Sequence, residues 1–179
     1  MFQVGDLIVH GSEGVCRVED VGSPPVGSIC PNRIYYTLKP LYRSGRSYTP
    51  VDTVIQMRPV ITSEQAQQLI RQMLSVEVEM LDDCNLRMQT EYYRSALQTN
   101  ECEKLVQLIR TAYTRQQTAI SNKRKPSMND ERYLKRAEDL LYGELAVALD
   151  IPKDEVKSYI LTHSEQPDVA PPCDCEAVS

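Results

Sequence analysis

The chain has 179 residues, enough for one domain or for a small domain of about 60 residues plus a larger one of about 100. Apolar residues make up 41%, charged residues 25%, and the net charge is −5, so a packed core is expected and nucleic-acid binding by the surface as a whole is not. No run reaches the roughly 20 apolar residues that cross a bilayer, and no basic stretch followed by an apolar one opens the chain. A cytoplasmic protein with no membrane partner is expected.

Residues 1–61 alternate apolar and polar side chains between turn signals, the pattern of short strands. Val4 to His10 predicts a first strand, Gly11-Ser12-Glu13-Gly14 a tight turn, and Val15 to Val21 a second strand. On that second strand Val15, Arg17 and Glu19 fall on one side, with Cys16, Val18 and Asp20 on the other. Gly22-Ser23-Pro24-Pro25 opens a longer loop, and Arg33 to Leu41 and Arg46 to Val51 flank a Ser44-Gly45 hairpin turn.

From Thr62 the period changes to that of helices. Thr62-x-x-Gln65 is a capping-box pattern, with Ala66, Leu69, Ile70 and Met73 at helical spacing behind it. A second helix is predicted over 86–99, with Leu86, Tyr93 and Leu97 on one face. A third over 101–119 has the stripe Cys102, Leu105, Val106, Ile109, Ala112 and Tyr113. Asn122-Lys123-Arg124-Lys125-Pro126 breaks it. A fourth runs from near Ser127 to 149, with Leu134, Ala137, Leu141, Leu145 and Ala148 inward. Pro152 suits the first position of a short last helix ending near Leu161. The predicted class is α+β: a Tudor-like or SH3-like small β-barrel over 1–61, an all-α domain of about five helices over 62–163, and a disordered tail over 164–179.

Charge is distributed unevenly. Residues 62–83 hold Arg71 against Glu64, Glu77, Glu79, Asp82 and Asp83, a balance of −4. Residues 85–136 hold eleven basic and five acidic residues, a balance of +6, so the central segment is a candidate polyanion surface that the overall sum conceals. Lys104 and Arg115, eleven apart, share one face of the third helix, and Lys123-Arg124-Lys125 follows its end. Arg87, Arg94, Arg132, Lys135 and Arg136 can join that surface; an ordinary solvated charged face is the alternative.

Signals for chemistry are few. Six cysteines (Cys16, Cys30, Cys84, Cys102, Cys173, Cys175) show no Cys-x-x-Cys spacing and have only His10 and His163 as companions, so reduced thiols and no metal are expected. There is no Gly-rich phosphate loop, no His-Glu-x-x-His and no Gly-x-Ser-x-Gly elbow, so neither an enzyme nor a cofactor is expected.

Several pieces in order resemble the CarD/CdnL family of bacterial RNA polymerase-binding transcription regulators, whose N-terminal module is shared with the transcription-repair coupling factor. They are Phe2-Gln3-Val4-Gly5-Asp6, His10-Gly11 with Glu13-Gly14-Val15, Tyr35-Tyr36, Thr49-Pro50-Val51-Asp52 and Arg58-Pro59-Val60-Ile61. Ala137-Glu138-x-x-Leu141-x-x-Glu144-Leu145-Ala146 is similar to the family's late helix, so the resemblance covers roughly 1–161. It implies that the barrel docks on the polymerase β subunit through an exposed strand, here Arg46, Ser47, Tyr48, Thr49 and Pro50. An ordinary solvated edge is the other reading of that strand.

The resemblance further implies that the helical domain meets duplex promoter DNA at the upstream edge of the open bubble. Contact there is sequence-nonspecific, through phosphates and a minor-groove wedge. The family's wedge is a Trp; this chain has none, and the position falls at Leu86, which also reads as the first core residue of its helix. Arg87, Arg94, Lys104, Arg115, Lys123, Arg124, Lys125 and Arg132 are the candidate phosphate contacts. The expected function is modulation of open-complex stability by a monomer held at the nucleoid through polymerase. The alternative is a polymerase-binding adaptor without DNA binding.

Overall fold

The computed structural model describes residues 1–23, 33–79 and 85–164. Its first unit is a five-stranded antiparallel sheet of order β4-β3-β2-β1-β5, with β1 Leu7–His10, β2 Gly14–Gly22, β3 Tyr35–Pro40, β4 Ser47–Pro50 and β5 Met57–Pro59. β1 begins three residues later than the alternation suggested, because Val4 and Gly5 form a turn in which Gly5 has φ +99°. A 3-10 turn over Gly11–Glu13 links β1 to β2.

Side chains from alternate positions build one core of Ile8, Cys16, Val18, Tyr36 and Leu38. The predicted alternation along β2 fails at one point. A register shift between Val18 and Asp20 pairs Val18 with Leu38 but Asp20 with Thr37, which moves Asp20 to the face opposite Val18. The sheet curls enough for β4 to reach β1, three places away in strand order: Thr49 Oγ1 and His10 Nε2 are hydrogen-bonded at 3.1 Å, both buried.

The second unit has five helices: α1 Ser63–Gln72, α2 Leu86–Gln98, α3 Cys102–Ser121, α4 Met128–Leu149 and α5 Val156–His163. Their starts follow from side-chain caps. Thr62 and Gln65 make the reciprocal capping box, Asn85 accepts from the Met88 N–H, and Ser127 accepts from the Asn129 N–H. Pro152 does not open a helix; its carbonyl accepts from the Glu155 N–H in a turn, and α5 starts at Val156.

α3 and α4 form the centre, with Leu105, Leu108, Ala112, Ala137, Leu141 and Leu145 fully enclosed. Tyr113, predicted inward, is 55% exposed, and Leu108 and Thr111 take the buried positions beside Ala112 instead. Ile109, Leu134 and Ala148, also predicted inward, are half-buried. Pro24, Pro25, Cys30, Cys84 and the tail from 165, expected to be loop, reduced thiols and a disordered end, lie outside the described residues.

The two units are packed together. Val9 and Val15, paired across β1 and β2 on the face opposite the barrel core, are buried. Gly14 beside them has φ +79°, and a Cβ there would stand 3.2 Å from Leu140 of α4. Gly143 of α4 is constrained by space alone: its Cβ would meet the Tyr42 ring at 3.1 Å.

Arg58 of β5 crosses the junction and forms a bidentate pair with Glu144, 2.7 Å on its Nη2–Oε2 side, while also donating to the Asn100 carbonyl. Glu144 is 1% exposed and further accepts from the Ile61 N–H at 3.2 Å and from the Cys102 thiol at 3.2 Å. Burial pushes that thiol up to about 12, so it remains a proton donor to the carboxylate.

Candidate functional site

β4 is an edge strand; among the described residues no strand pairs with its outer side. The bond from the Val51 N–H to the Ile34 carbonyl (2.9 Å) marks 34/51 as a hydrogen-bonded pair, and the register then alternates through 36/49 and 38/47. Ser47 and Thr49 therefore spend their backbone groups on β3, whereas Tyr48 and Pro50 turn theirs outward. Pro50 has no N–H, and its carbonyl already accepts from the Thr53 N–H at 3.1 Å. Tyr48 is thus the residue of β4 whose N–H and C=O both face the open edge.

The predicted docking residues separate accordingly. The Tyr48 side chain is 45% exposed on the outer face, level with Thr37. Arg46 donates to Glu19 at 2.5 Å, and that guanidinium holds the Glu19 carboxyl below the usual carboxylate range. Thr49 points into the barrel toward His10, so it can serve a partner only by positioning the strand. Ser47 and Pro50 are half-buried.

On the helical unit the registers of three helices can be read from their contacts. Asn129 Nδ2 donates to Thr90 Oγ1 (3.3 Å), Tyr93 Oη donates to Asp130 (3.0 Å), and the Tyr93 and Tyr133 rings lie 5.2 Å apart, so α2 and α4 run parallel. α3 runs antiparallel to α4, because Arg115 meets Asp130 while Cys102 meets Glu144. The N-termini of α2 and α4 and the C-terminus of α3 therefore share one end of the bundle.

Leu86 lies at that end and is 64% exposed, not in the core. It does belong to the stripe of Gln89 and Tyr93, three and seven residues on, which is why spacing alone turned it inward. α4, however, begins opposite Gln89 and Thr90. The first turn of α2 overhangs its neighbour, and the stripe runs out past the packed region.

Arg87, Lys123, Arg124 and Lys125 are exposed at the same end. Arg132 is exposed one turn into α4, lining a groove with Leu97 and Tyr133. Arg94 is exposed two turns along α2 from Leu86. Lys104 is exposed but stands apart, about 16 Å along α3 from Arg115 at 1.5 Å per residue. Arg115 is half-buried, its Nε 3.3 Å from Asp130 in a network with Gln89 and Tyr93; Asp130 itself is 2% exposed.

The Arg58–Glu144 junction was the feature spacing did not reveal. Its signal was present: Glu144 interrupts an otherwise apolar run from Leu140 to Ala146, and a carboxylate inside such a run needs a cationic partner. Among the described residues no group of His, Cys, Asp and Glu could hold a metal ion, and no helix is long and apolar enough to cross a membrane.

The described residues thus combine a barrel whose edge strand is unpaired with a packed helical unit whose end carries exposed cations and an exposed Leu. Residues 2–61 match the family model of the CarD-like/TRCF RID domain. No curated protein matches the chain. Residues 2–61 therefore belong to that domain family, and the chain carries the RNA polymerase-interacting domain that CarD-like proteins share with the transcription-repair coupling factor. It is an RNA polymerase-interacting factor of transcription regulation.

Proposed function

We propose that the chain is a non-enzymatic bacterial transcription regulator that bridges polymerase and promoter DNA. In this reading β4 adds to a strand of the polymerase β subunit. The end of the helical unit meets upstream duplex, and the open complex shifts in population. One observation carries the DNA half: Leu86 overhangs the bundle beside Arg87 and Lys123-Arg124-Lys125, placing an apolar knob among cations. Apolar side chains of this kind insert between base steps in the minor groove, and the cations neutralise phosphates without reading sequence.

The protein acts as a monomer in the cytoplasm, at the nucleoid through polymerase. Modest affinities at two sites combine through effective concentration. Mobility-shift binding of the full chain to promoter duplex across a salt series tests this. A linear fall of log affinity with log salt is expected, and replacing Lys123, Arg124 and Lys125 together by Ala reduces its slope by about 3. No measurable duplex affinity at low salt would leave a polymerase-binding adaptor without a DNA contact.

A further inference from the structure

The turn between β3 and β4, residues 41–46, is fastened to the helical unit by a cluster of charges around one ring. Tyr42 lies against Gly143 of α4, and the Lys153 ammonium stands 4.6 Å from the centroid of the Tyr42 ring. The same ammonium donates to Asp139 Oδ1 at 2.5 Å, while Arg43, next to Tyr42, pairs with Asp139 Oδ2 at 3.6 Å. Turn, α4 and the α4–α5 connection thus meet at one point. The connection is fixed by its own bonds. Asp150 ends α4 with φ +54°, the Ile151 N–H donates to the Ala146 carbonyl at 3.0 Å, and the Glu155 N–H donates to the Pro152 carbonyl at 3.0 Å. Lys153 therefore reaches the turn from a held backbone.

β4 follows this turn directly, and at its other end Thr49 is tied inward to His10, so Tyr48 lies between two anchors. An edge strand already held in its bound shape loses less freedom when a partner strand adds, and affinity rises accordingly. Resting on the strand-addition reading above, we propose that Lys153 is a positioning residue for polymerase docking: from the helical unit it clamps the β3–β4 turn and so holds Tyr48 ready for the added strand, without itself touching polymerase. An isolated exposed ion pair contributes little. Here one ammonium serves a ring and a carboxylate together, and its side chain is only 24% exposed. Lys153 stands outside residues 2–61, so the helical unit takes part in a contact made by the matched domain.

The test measures affinity of the full chain for purified polymerase. Wild type is compared with Lys153→Met, Lys153→Arg, Tyr42→Leu, the Lys153→Met and Tyr42→Leu pair, Tyr48→Pro, and Lys157→Met, which removes the same charge from an exposed position of α5. Lys153→Met is expected to bind about threefold to fivefold more weakly, with Lys153→Arg close to wild type and Lys157→Met silent. In the Tyr42→Leu background the loss from Lys153→Met should shrink to under about twofold, because the ring through which the ammonium acts is gone. Retained affinity in Lys153→Arg separates loss of the clamp from misfolding. Full affinity in Lys153→Met, or an equal loss in Lys157→Met, overturns the inference and leaves strand addition intact. So does a loss that is undiminished beside Tyr42→Leu, which would make Lys153 a direct polymerase contact. Wild-type affinity in Tyr48→Pro would overturn strand addition, and the inference with it.

Discussion

His10 and Thr49 join the open edge strand β4 to β1, and this makes one imidazole answerable for the edge. The ring is buried and its Nδ1 has no partner among the described residues. Burial lowers its pKa, an effect that the nearby Glu13 carboxylate only partly opposes. The unfolded chain therefore binds the proton more tightly than the folded one. Stability is complete above the unfolded value of about 6.5 and is lost as pH falls below it toward the folded value. Urea melts at pH 7.5 and 5.5 should show a lower midpoint at 5.5, and His10→Gln should flatten the part of that dependence that the imidazole contributes. Arg58 and Glu144 carry a larger stake. Removing one member leaves a buried charge unpaired, so Arg58→Met should destabilise by about 3 kcal/mol, read as a fall in urea midpoint at unchanged slope.

Among elements, β4 makes the narrowest demand on a partner. One residue, Tyr48, offers donor and acceptor together, so Tyr48→Pro should abolish polymerase binding in a pull-down while Tyr48→Phe retains it. Charge reversal at Arg46, which also releases Glu19, should weaken the same interaction. Unchanged capture by Tyr48→Pro would remove strand addition from the account.

Most elements were legible in the sequence because local chemistry places them. Thr62, Asn85 and Ser127 cap where helices start, and period-2 alternation marks β2 to β4. What was not legible depended on where neighbours end. Leu86 obeys the helical stripe, yet it is exposed because α4 starts too late to cover it. Arg115 has the spacing of a surface cation, yet Asp130, in the first turn of the next helix, draws it in. β5 is three residues long and is recognisable only through its pairing with β1.

At the scale of the whole molecule, the junction matters as much as either surface. Arg58, Glu144, the Asn100 carbonyl and the close contacts at Gly14 and Gly143 join barrel and bundle, so a polymerase strand added to β4, as proposed, would determine where Leu86 and the Lys123–Lys125 segment lie. A bridge of this kind gains from both contacts only while that relation is kept. The direct measurement is the lifetime of open complexes formed by purified polymerase with wild type, Tyr48→Pro or Leu86→Ala protein. If the chain is a bridge, wild type changes the lifetime, Tyr48→Pro removes the change, and Leu86→Ala reduces it while still binding polymerase. A lifetime that wild type leaves unaltered, or that Leu86→Ala alters as fully as wild type, would contradict the bridge.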